Sequence, residues 1–148
     1  MKTIRSSALL AFAMLVSCST SHRVSVNDAY RGRNIRAIAQ TPEEDNSAEM
    51  DGHLAAALQQ NGVTLRPKLQ SGVRTAGGVD AVVGYVDVWR WDVTMYLSRL
   101  TVNFYDPKSG DLMATGYWSD SPLHGYRDPA KAMDEVVDQA LTEIRGRR

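Results

Sequence analysis

Apolar and polar residues alternate along this chain in two rhythms, one near the α-helical period and one with the two-residue period of a strand. Met50, Leu54, Ala57 and Leu58 recur at helical spacing. Asn46 is placed to cap this helix with Glu49 three residues on, the capping-box pattern. Thr41, Pro42, Glu43 and Glu44 offer an earlier start, and Asn61-Gly62 supplies the stop. Gly52 inside the helix costs about 1 kcal/mol relative to alanine. A second helix is predicted after Asp128, its cap, with Pro129 in the first turn. Met133, Val136, Val137, Ala140, Leu141 and Ile144 make one apolar stripe, with Lys131, Asp134, Glu135, Asp138 and Glu143 opposite.

The strand rhythm fills much of the rest. Residues 34–39 read as a first strand, and residues 63–69 as a second that Pro67 marks as an edge or an early end. Residues 70–78, with three glycines, read as a loop. From 81 to 106 β-branched and aromatic residues dominate, with a turn expected over 92–95. Asp106, Pro107 and Gly110 form a hairpin turn, Pro107 fixing φ and Gly110 taking a positive one, and the partner strand follows over 112–119. The predicted order is strand, helix, strand, three-stranded meander, helix. That is an α+β fold, a two-layer sandwich of a mostly antiparallel sheet and two amphipathic helices.

The front of the chain obeys a different pattern. Lys2 and Arg5 precede an apolar run over residues 8–16, and the small Ser17 and then Cys18 follow. The run is far shorter than the ~20 residues a spanning helix needs, so residues 1–17 read as an export signal peptide. Leu15, Val16, Ser17 and Cys18 resemble the bacterial lipobox. That resemblance implies cleavage before Cys18, diacylglycerol on its thiol, and a further acyl chain such as palmitate on its amine. An ordinary secretory signal with a chance cysteine, or an uncleaved apolar N-terminus, is the alternative. One acyl chain binds a bilayer marginally, and two or three hold a protein durably. Ser19, where an aspartate would imply inner-membrane retention, implies the outer membrane, facing the periplasm. The domain reading is therefore signal peptide 1–17, lipidated cysteine and tether 18–27, and one α+β domain over 28–148.

Composition narrows the function more than it names one. The full chain of 148 residues balances 17 basic against 17 acidic side chains. Losing Lys2 and Arg5 with the signal leaves it slightly acidic, which gives no general reason to bind nucleic acid. Arg145, Arg147 and Arg148 at the end suit a helix C-terminus. The single cysteine excludes an intrachain disulfide.

Catalytic chemistry finds few candidates. His22 lies in the expected tether, His53 on the flank of the first helix, and His124 in a loop near Asp120 and Ser121. The last three are a poor Ser/His/Asp set, because triad members come from separate elements and no nucleophile elbow is present. No ligand spacing for a metal and no phosphate-binding glycine fingerprint occurs, so no catalytic residue, metal or cofactor is assigned.

The run from Trp89 through Tyr96 offers more. Trp89 and Trp91 share one face of a strand, with Arg90 and Asp92 on the other. Two indoles on one face suit a core or a structural corner, or a platform for a partner or glycan with Tyr96 or Trp118 nearby. Asp92 is expected to cap the following turn, and Arg90 to pair with it or with Asp87. The Trp89-x-Trp91-Asp92-x-x-x-Tyr96 motif, the Phe104-Tyr105-Asp106 hairpin into Gly110, and residues 112–117 resemble an uncharacterised family of small proteobacterial lipoproteins. The resemblance covers roughly residues 80–141. It implies an α/β domain behind a lipobox and carries no functional residues across.

Three readings compete. The first is a non-enzymatic protein-binding or assembly lipoprotein, with an envelope protein partner docking at a strand edge near 63–69. The second is a small-molecule or glycan binder using an aromatic patch of Trp89, Trp91 and Tyr96. The third is an envelope enzyme of unrecognised type, which requires His124 or another titratable group in a pocket with a second polar partner. Burial of the two indoles separates the second from a purely structural reading.

Overall fold

The computed structural model describes residues 20–121 and 125–146, so Cys18, the signal and His124 lie outside the described residues. Six strands form one open sheet: β1 (Ser21–Val26), β2 (Ala37–Gln40), β3 (Thr64–Arg66), β4 (Ala81–Trp91), β5 (Met95–Tyr105) and β6 (Leu112–Ser119). The helices are α1 (Ala48–Gln60) and α2 (Pro129–Arg145), with one 3-10 turn at Asp28–Tyr30. The strand order is β1-β6-β5-β4-β2-β3. Pairing is antiparallel from β1 through β4 and parallel from β4 through β2 to β3. This is the expected α+β fold with a mostly antiparallel sheet, not closed into a barrel.

Local chemistry explains most boundaries. Asp128 accepts from the Ala130 amide at 2.9 Å with Pro129 next, which starts α2 as predicted. In α1 the cap is Ser47, not Asn46: its Oγ accepts from Met50 N at 3.3 Å. In the β5–β6 turn, Gly110 has φ 77°. The buried Asp106 accepts there from the amides of Lys108 at 2.8 Å and Ser109 at 3.0 Å, and from Arg33 Nη1 at 2.7 Å. Burial alone would raise this carboxyl's pKa, but the two amides and the Arg33 guanidinium outweigh it, so it lies below the ordinary carboxylate value.

The start of the chain departs from expectation. Ser21–Val26, expected to be tether, forms β1 and pairs with β6 in unbroken register from Ser21↔Ser119 to Val26↔Ala114. Only Val24 and Val26 turn inward, so the strand carries a weak local signal. What defines it is the free edge of β6, which is distant in sequence. The predicted first strand is also shorter than expected, because Asp80 Oδ2 ties up the Arg36 and Ala37 amides as β2 begins.

Alternation divides the sheet into two faces. One face carries Val24, Gly116, Val102 and Tyr85 in one cross-strand row and Val26, Ala114, Phe104 and Val83 in the next. These pack with Met50, Leu54 and Leu58 of α1 and the whole α2 stripe into a single core. At Gly116 the layers approach closely: a Cβ there would collide with Val136 Cγ1. The opposite face presents Arg23, Tyr117, Thr101 and Val86 in register. The loop after β3 covers part of that face, held by Leu69 N donating to Gln40 O at 2.8 Å and by the Arg74 guanidinium 4.6 Å over the Tyr105 ring.

Candidate functional site

β4 and β5 have 11 residues each, against 8 in β6 and 6 in β1, so their hairpin overhangs the sheet. Trp91 and Met95 form its last pair, and Asp92 N donates to Thr94 O at 3.1 Å across the turn. The tip is apolar and open: Trp91 is 73% exposed, Val93 84% and Met95 55%. Isolated apolar side chains on a surface need no explanation, whereas these three cluster at one turn.

The two indoles have different surroundings. Trp89 is half-buried against the core, and its Nε1 donates to Asp87 Oδ2 at 2.6 Å. The same Asp87 oxygen accepts from Ser47 Oγ at 3.0 Å, so Trp89 is tied to the start of α1. Asp87 is thereby engaged by Ser47 and Trp89, the pairing expected of Arg90. Trp91, two residues further, has passed the end of the helical layer and stands in solvent.

Tyr96 does not join them. It pairs across the strand with Arg90, which puts it on the opposite face of the hairpin, where it is buried edge-on against Tyr126 at 5.6 Å between ring centroids. Trp89, Trp91 and Tyr96 therefore form no shared concave patch. Strand alternation separates Tyr96 from the indoles, and packing separates the indoles from each other.

On Tyr96's face an open cleft of about 280 Å³ is lined by Arg90, Tyr96, Ser98, Arg99, Ser119 and Asp120, with Ser121 beside them. A register shift in β5 next to Leu97 accommodates Ser98. Asp120 Oδ1 accepts from the Ser121 amide at 2.9 Å and the Gly125 amide at 3.3 Å. That carboxylate oxygen is thus taken up by two backbone amides, and Ser121 itself is buried. Two exposed guanidiniums, Arg90 and Arg99, line the cleft against the one carboxylate of Asp120, so its lining carries more positive than negative charge. Among the described residues no group of three His, Cys, Asp or Glu side chains is arranged to hold a metal ion. His53 stands on the α1 flank, 3.5 Å from Glu49, and His22 is on β1 across from Trp118.

A part-buried polar cluster carries little signal in the sequence. Asp51 Oδ1 accepts from Gln40 Nε2 at 2.6 Å and Tyr85 Oη at 2.7 Å, and its Oδ2 accepts from Lys68 Nζ at 2.6 Å. Burial pushes Asp51 upward, but Lys68, Gln40 and Tyr85 together bring its pKa below the usual value. Burial and the neighbouring Asp51 raise the Tyr85 phenol far above its own, so it acts as a neutral donor. This cluster joins α1, β2 and β4. The inward position of Tyr85 in β4 is the one pointer to it, since a buried phenol needs a partner.

Neither the protein-family models nor the curated proteins give a match to the chain. Solved structures do. The PelC dodecamer from Paraburkholderia phytofirmans is similar over 84% of this chain and 99% of its own, at 11% identity and TM-score 0.55. A point variant of the same dodecamer covers 88% of this chain and 100% of its own, at 13% identity and TM-score 0.50. A minor lipoprotein from Acinetobacter baumannii covers 76% of this chain and 92% of its own, at 16% identity and TM-score 0.38, too distant to carry an argument. Among the described residues no helix is long and apolar enough to cross a membrane. What the chain shares with PelC is its fold.

Proposed function

We propose that this chain is an envelope lipoprotein, acylated on Cys18 at the outer membrane, whose domain is a non-enzymatic protein-binding or assembly module. The observation that carries the reading is the edge of β1, which no strand pairs with among the described residues. An edge strand offers unpaired backbone groups to any chain that lies beside it, and proteins usually blunt such edges. The β3 edge is blunted, being three residues long and followed by Pro67. β1 has six residues, continuous register, no proline and no glycine, and its residues from Ser21 to Arg23 are exposed. Strand addition at β1 places a partner beside the anchor, and a fold shared with a dodecamer makes a second copy one such partner.

A photo-crosslinking residue at Ser25 on β1, with one at Arg66 on β3 as control, tests the partner in intact cells. A discrete adduct from Ser25 alone is expected, and its mass distinguishes a second copy from another protein. Repeated absence of any adduct overturns the assembly reading. Labelled palmitate on the wild-type chain and none on Cys18→Ala is expected, and an unlabelled wild-type chain overturns the anchor.

A further inference from the structure

We propose that the β4–β5 hairpin tip, Trp91 with Val93 and Met95, is a second membrane contact that enters the same lipid leaflet as the acyl chains on Cys18. The inference rests on the lipoprotein reading above. Its basis is a coincidence of position. Ser21, Ser119, Arg99 and Val88 form one row across four neighbouring strands. Beyond that row β4 runs on for three residues to Trp91, and β1, which runs antiparallel to β4, begins at this same end, three residues after Cys18 in the sequence. Three residues span at most about 11 Å in either case. β1 and β4 have two strands between them, so Ser21 and Val88 stand about 14 Å apart at ~4.8 Å per strand. A plane that touches the lipidated cysteine therefore passes within reach of the hairpin tip. With only Ser19 and Thr20 between Cys18 and β1, the domain has no tether long enough to stand clear of the bilayer.

The chemistry of this end fits that plane. Of the six exposed large apolar residues, Trp91, Val93, Met95 and Tyr126 lie here, while Val86 is in the middle of β4 and Leu112 is at the other end of the sheet. Tryptophan favours the boundary between headgroups and hydrocarbon. Arg90 and Arg99 sit exposed behind the tip, where they meet phosphate headgroups. Asp92 is the acidic residue of the turn, and its carboxylate accepts from the Tyr126 hydroxyl at 3.4 Å, which suits a headgroup depth. A two-point attachment fixes which way the domain faces, where an acyl anchor alone leaves it free to roll.

The test uses the acylated full-length mature protein in vesicles of phosphatidylethanolamine and phosphatidylglycerol whose acyl chains carry bromine near the glycerol. Co-sedimentation and intact mass report the anchor, and tryptophan quenching by bromine reports the tip. Quenching is expected in the wild type and is lost in Trp91→Phe, since Trp118 is buried in the core and Trp89 is half-buried. Val93→Asp, at the most exposed tip position, is expected to sediment fully with its quenching lost. Acylated protein that sediments without quenching overturns the membrane contact and leaves the anchor standing. A wild-type chain with no acyl mass overturns the lipoprotein reading and this inference with it. Shielding of Trp91 from aqueous acrylamide without bromine quenching means that a protein, including a second copy, covers the tip, and likewise overturns the contact.

Discussion

Gly116 shows how one missing methyl group sets the distance between two layers. Val136 of α2 occupies the space that a Cβ at position 116 would need, so Gly116→Ala is expected to destabilise by about 1–3 kcal/mol through overpacking. Trimming the opposing side chain should recover part of the loss, so Gly116→Ala with Val136→Ala should be coupled in a denaturant double-mutant cycle; strict additivity would refute the contact. Asp106 has a different role, as a buried anion held by two amides and Arg33. Its lowered pKa means that its stabilisation is complete above the ordinary carboxylate value, about 4, and is lost as pH falls through its folded-state value. Asp106→Asn should therefore cost about 1–3 kcal/mol at neutral pH. The gap to wild type should narrow in acid, and a gap independent of pH would contradict the assignment. The hairpin around Asp106 is legible in advance because Pro107 and Gly110 encode it locally. The need for glycine at 116 is not, since it comes from a residue on another element.

At the scale of elements, α1 carries a correctable weakness. Gly52 lies on an exposed helical position, and a methyl carbon added there would meet no atom within 4 Å. Gly52→Ala should raise stability by about 1 kcal/mol, seen as a higher Tm, and a lower Tm would mean that the glycine has another role. Both helices and the meander are legible because periodicity, caps and turn residues agree along each segment. At α1 the difference is a single residue, Ser47 in place of Asn46, which two adjacent polar side chains do not separate. β1 is hidden for a larger reason: Ser-His-Arg-Val-Ser-Val has only two apolar positions, and its partner strand comes near the end of the chain. Sequence proximity groups Tyr96 with Trp89 and Trp91 but does not reveal the face. The Trp91↔Met95 pairing puts Tyr96 opposite Arg90 and away from both indoles.

For the whole molecule, one core runs from Val26 of β1 to Ile144 of α2 with contributions from both helices and from strands in between. A core shared in this way unfolds as a unit. With Trp89 and Trp91 replaced by phenylalanine, emission from the buried Trp118 should follow the same urea transition as far-ultraviolet circular dichroism. Separated midpoints would divide the fold into independent parts. The two indoles themselves show how far a motif can be read from sequence: their common face is legible, while the end of the helical layer between them is visible only in three dimensions.

The pairing of the first strand with the last has a consequence in time. Ser21 finds Ser119 only after five of the six strands and the whole of β6 have been made, and among the described strands β6 alone borders β1. Contacts this distant close large loops and form slowly. The N-terminal strand therefore stays unpaired until β6 has been made, and the sheet is completed late in the life of the growing chain.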